Sequence, residues 1–202
     1  MSTFLVAAFV AGLTNTGQAT STSLVKSLPL PVTVFDYANV PAQWLSWAKE
    51  SMSRIYGEIG VEIMWQDARS EARTGLIVLI LPESRSTKQG IPESVIGYTS
   101  GSEDERRRVA YVLYGRMNQF RLEQVPPIQR ANLLGHLMAH EVGHLLLPVQ
   151  SHSPSGIMRA RWSRADLELA QQGRLRFTAD QAESIRSKVS RLKEDGHGAQ
   201  AR

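Results

Sequence analysis

Hydrophobic and polar positions alternate with two different periods along this 202-residue chain, and the changes of period mark its elements. Residues 28–37 read as a strand punctuated by Pro29 and Pro31. After Pro41, the residues Trp44, Leu45, Ala48, Met52, Ile55 and Tyr56 recur at helical spacing, which predicts an amphipathic helix stopped near Gly57 and Gly60. Residues 61–65 predict a short strand. The aliphatic run Leu76–Leu81 predicts a central strand buried on both faces. Residues 82–101, rich in Ser, Gly, Pro and charge, read as a long surface loop, and 109–114 as a further strand.

Pro126 and Pro127 then open a helix that is expected to run to Leu147, because Pro148 makes continuation unfavourable. An irregular segment over 149–162 follows, then a helix over 164–172. The last predicted helix has Thr178 as N-cap and Gln181 completing a capping box. The order of elements indicates one domain over 28–194, with a disordered tail over 195–202. No internal repeat is visible.

At the N-terminus, an apolar run over 4–13 followed by Gly17, Gln18 and Ala19 reads as a signal peptide over 1–19, although no Lys or Arg precedes it. It is too short to span a membrane. A secreted or periplasmic location is the expectation. The net charge of +4 and pI near 9.6 do not point to nucleic acid, because the basic residues are scattered and interleaved with acids. With no cysteine in the chain, a bound metal must take nitrogen and oxygen ligands.

Those ligands are visible in His140-Glu141-Val142-Gly143-His144. Four residues apart on a helix, the two imidazoles lie about 40° apart in azimuth and about 6 Å apart along the axis, so both reach one ion. Glu141 is offset by about 100° from His140, which suits a water on the metal better than the metal itself. Leu134, Met138, Val142, Leu145 and Leu146 make the same helix apolar over most of its circumference, as befits an interior helix. With three protein ligands and an open fourth position, Zn²⁺ makes a nucleophile of bound water, and a carboxylate beside it acts as base. Glu141 is therefore the candidate catalytic residue for peptide hydrolysis. His136 would stand about 12 Å along the axis from His144, too far for the same ion, and reads as a packed histidine; His197 reads as solvated.

Extended to Met158, the segment H-E-V-G-H-L-L-L-P-V-Q-S-H-S-P-S-G-I-M resembles the metzincin clan of zinc peptidases. The clan's glycine and third histidine positions are Leu147 and Gln150 here. The next histidine, His152, follows His144 by eight residues where the clan has six. The resemblance implies His152 as the third zinc ligand and Met158 as a methionine turn beneath the metal. It also implies a zincin-like α+β fold, in which a twisted mixed β-sheet packs on an active-site helix and the C-terminal part is helical. An edge strand, for which 109–114 is the candidate, would bind a peptide or protein substrate antiparallel to itself. Asp166 and Glu168 are the rival third ligands, since some zinc peptidases use a downstream glutamate. The alternative function is a non-catalytic zinc-binding or interaction protein, marked by a fourth protein ligand that closes the site.

Overall fold

The computed structural model describes residues 27–69, 75–84, 91–93, 95–100, 108–120, 122–149 and 151–200. The leader expected over 1–19 lies outside the described residues. Five strands, β1 (Leu28–Asp36), β2 (Val61–Gln66), β3 (Leu76–Leu81), β4 (Gly97–Ser100) and β5 (Arg108–Leu113), form one sheet in the order β2-β1-β3-β5-β4. The first three pairings across this order are parallel, and β4 pairs antiparallel with β5. Together with the helices α1 (Ala42–Gly57), α2 (Pro127–Leu146), α3 (Arg164–Gln171) and α4 (Ala179–Gln200), this is the mixed sheet on a central helix, with a helical C-terminal part, that the sequence led us to expect.

One face of the sheet makes the core. Alternate residues Leu30, Val32 and Val34 on β1, Leu76, Val78 and Ile80 on β3, and Ala110 and Val112 on β5 are all buried, as the twofold period of a strand requires. The same core cluster takes in Ala48, Met52, Ile55 and Tyr56 from α1 and most of the apolar residues of α2. The hydroxyl of Tyr56 donates to the Ala139 carbonyl at 3.1 Å, fixing α1 against α2. Helix α2 starts with Pro at its first turn, where the missing N–H costs nothing. It ends at Leu147, whose extended backbone (φ −100°, ψ 162°) is the conformation that a following proline favours.

Three expectations need correction. The segment 82–101 is not all loop: Gly97, Tyr98, Thr99 and Ser100 form β4, and ladder hydrogen bonds to β5 supply what their weak strand pattern does not signal. As a result β5 is an interior strand, paired with β3 and β4, and the terminal strand on that side is β4. Helix α4 continues to Gln200, past Asp195. Tyr114 belongs to a 3₁₀ segment, Tyr114–Phe120, that follows β5. The capping box of α4 is present: Thr178 N–H donates to Gln181 Oε1 at 3.0 Å, and Gln181 N–H to Thr178 Oγ1 at 3.4 Å. Among the described residues, no helix is long and apolar enough to cross a membrane.

Candidate metal centre

The last turns of α2 carry His140 and His144, and the segment beyond Pro148 brings His152 back to them. One ring nitrogen from each lies within 4.8 Å of the other two, and among the described residues no further His, Asp or Glu joins this group. The ring centroid of His152 stands 5.7 Å from that of His140 and 4.7 Å from that of His144. The Nε2 atoms of His140 and His144 face one another at 3.1 Å. Two nitrogens each about 2.0–2.1 Å from a tetrahedral zinc would be separated by about 3.3 Å, so this pair already has the spacing of two ligands.

The outer nitrogens are anchored. His140 Nδ1 donates to the Ile157 carbonyl at 2.7 Å, which leaves the lone pair on Nε2. The indole N–H of Trp162 reaches the same carbonyl at 2.9 Å, and its ring stands edge-on to His140. His144 Nδ1 is 2.9 Å from the Ser151 hydroxyl. Burial lowers the pKa of both imidazoles to about 4; for His144 the neighbouring His140 and His152 lower it further. Both are therefore neutral near pH 7, with lone pairs available to a metal.

Glu141 projects beside them, its Oε1 4.0 Å from His140 Nε2. It is 3% exposed, and its Oε2 is buried without a hydrogen-bond partner. Burial pushes its pKa up to about 8. An unsatisfied buried carboxyl facing neutral imidazoles that offer lone pairs is a donor set that a cation completes, so these residues fit zinc.

Two glycines let this arrangement close. A β-carbon on Gly97 of β4 would collide with the carboxyl of Glu141, so the strand backbone itself walls the carboxyl in. On the other side of α2, a β-carbon on Gly143 would stand 2.5 Å from the sulfur of Met158. Met158 is fully buried, and Ser153 N–H donates to its carbonyl at 2.9 Å.

The rival ligands are engaged elsewhere. Asp166 Oδ2 accepts from Ser163 N–H, from Ser163 Oγ–H and from Arg159 at 2.6–2.9 Å, as the third residue of α3 in a capping box with the N-cap Ser163. Glu168 pairs with Arg164 on the surface. His136 is buried and donates from Nδ1 to the Asn132 carbonyl at 2.7 Å, outside the group. The side chain of His197 lies outside the described residues. Sequence reasoning missed Gly97, Ser151 and Trp162. Ser151 had a signal in its place next to His152, whereas the Gly97 contact joins residues 44 positions apart and leaves no local mark. A cavity of about 900 Å³ adjoins His144, lined among others by Thr99, Arg108, Leu147, Ser151 and Lys188.

No protein-family model matches the chain, and no curated protein does. Among solved structures it is similar to the archaemetzincin of Methanopyrus kandleri at 16% sequence identity, with 82% of this chain and 97% of that chain covered and a TM-score of 0.49.

Proposed function

We propose that the chain is a zinc-dependent peptidase, with His140, His144 and His152 as metal ligands and Glu141 as general base. The observation that carries this reading is the convergence of three imidazoles beside a buried carboxyl with an unpartnered oxygen. Zinc held by three ligands with its fourth position open supplies an acidified water and a polarised carbonyl.

The remaining work falls to the chain. Glu141, made more basic by burial, takes the proton at a carboxylate oxygen and returns it to the nitrogen of the departing amine. The backbone at Gly97 limits the carboxyl's freedom, which keeps it oriented between the two proton transfers. Ile157, by accepting from His140, fixes the tautomer that presents Nε2. As the terminal strand of the sheet on the side of Glu141, β4 takes the place of the expected 109–114 edge. Among the described residues β4 ends the sheet there, and an extended peptide or protein substrate would align along it. The apolar run over 4–13 adds export from the cytoplasm to this reading.

Substitution Glu141→Gln tests it. The variant is expected to keep its zinc and lose hydrolysis of a casein-type substrate by at least about 10²-fold, the usual contribution of a general base. Undiminished turnover would eliminate Glu141 as the base, and a wild-type chain without zinc would eliminate the metal.

A further inference from the structure

We infer that the Ser151 hydroxyl is the positioning group for His144, setting the rotation of its ring so that Nε2 faces the ion; this rests on the zinc reading above. A histidine ligand on a helix has two side-chain torsions to fix, and a hydrogen bond at the nitrogen away from the metal is what commonly fixes them. For His140 the Ile157 carbonyl supplies that bond. For His144 the group at Nδ1 is the Ser151 hydroxyl, 2.9 Å away. The opposite nitrogen of the same ring faces His140 Nε2 at 3.1 Å, so the ring is held with one edge on Ser151 and the other in the ligand group.

Ser151 can do this because its own place is determined. It lies beyond the helix break at Pro148, next to the third ligand, and two residues before Ser153. Ser153 is pinned three times: its N–H donates to Met158 at 2.9 Å, its hydroxyl donates to the Ser155 carbonyl at 2.7 Å, and Gln181 Nε2 donates to that hydroxyl at 2.9 Å. Gln181 is itself fixed by the capping box of α4. The spacing of eight residues between His144 and His152 thus does more than lengthen a turn: it places an oriented hydroxyl and a third imidazole on consecutive residues. A hydroxyl, unlike a carbonyl, both accepts from and donates to an imidazole nitrogen. When it accepts from Nδ1–H, the lone pair is on Nε2, where the metal needs it.

The experiment uses the full chain with Ser151→Ala and Ser151→Thr. Zinc affinity is read by competition with a chromophoric chelator, and the histidine side-chain nitrogens by ¹⁵N NMR without metal. Ser151→Ala is expected to weaken zinc binding about tenfold or more and to shift the His144 Nδ1 resonance while leaving that of His140 in place. Ser151→Thr, which keeps the hydroxyl, is expected to stay within about threefold of wild type on the same scale. Zinc affinity of Ser151→Ala equal to wild type, or an unmoved His144 Nδ1 signal, overturns the inference. A wild-type chain that takes up no zinc removes the peptidase reading, and the metal-free NMR comparison still decides whether Ser151 holds His144.

Discussion

Gly97 lies directly against the carboxyl of Glu141, with no room between them for a methyl group. The contact joins the terminal strand of the sheet to the helix that carries the two paired histidines, so the wall of the site is main chain rather than a side chain that can rotate away.

Gly97→Ala is therefore expected to displace Glu141 without disturbing the imidazoles. Overpacking of this kind costs about 1–3 kcal/mol, which a chain of this size survives. Peptide hydrolysis should fall at least about tenfold, while zinc content stays at the wild-type value, because 1 Å of misplacement in a catalytic group is costly. Hydrolysis at the wild-type rate in a folded Gly97→Ala protein would show that the carboxyl needs no such wall.

Asp166 and Glu168 provide a second check, because each is paired outside the three-histidine group. For Asp166, burial works to raise the pKa, but the hydrogen bonds from Ser163 and Arg159 outweigh it and hold the carboxyl below its ordinary 3.8. Asp166→Ala should cost about 1–2 kcal/mol in denaturant unfolding through the lost capping box, with zinc stoichiometry intact. Glu168→Ala should change stability by less than about 0.5 kcal/mol, the range for an exposed pair. Loss of zinc from either variant would transfer the third ligand position from His152 to a carboxylate.

His136 makes stability depend on pH independently of the metal. Burial lowers its pKa from 6.5 to about 4; the Asn132 hydrogen bond opposes this, and the charges of Arg176 and Arg54 add to it. Between those two values the unfolded chain holds a proton that the folded chain does not, so stability is full above pH 6.5 and falls as the pH drops toward 4. The loss attributable to this group approaches about 3 kcal/mol at pH 4. Urea unfolding of wild type and His136→Gln at pH 7 and pH 4 should show the smaller acid loss in the variant. Equal losses would mean that His136 accepts the proton while folded.

What could be read from the sequence follows the range of the interactions concerned. His140, Glu141 and His144 fall within two turns of one helix, so helical geometry alone relates them. The continuous aliphatic run Leu76–Leu81 announces an interior strand in the same local way. Gly97, Tyr98, Thr99 and Ser100 carry no such pattern; they are a strand because β5 is beside them, and missing β4 made β5 look like an edge. The position of His152 came from likeness to a family with a different spacing, and the segment closes on the site through Ser153, Gln181 and Met158, whose partnerships no sequence period encodes.

The break at Pro148 divides the three imidazoles between two parts of the chain with unequal resistance to opening. His140 and His144 belong to a helix embedded in the core, whereas His152 is exposed and its segment is moored chiefly at Ser153 and Met158. For the zinc proposed above, escape would require only that this short stretch peel from α4, with α2 remaining intact. Metal exchange and global unfolding would then be separate events, with the pair of histidines kept arranged to receive another ion.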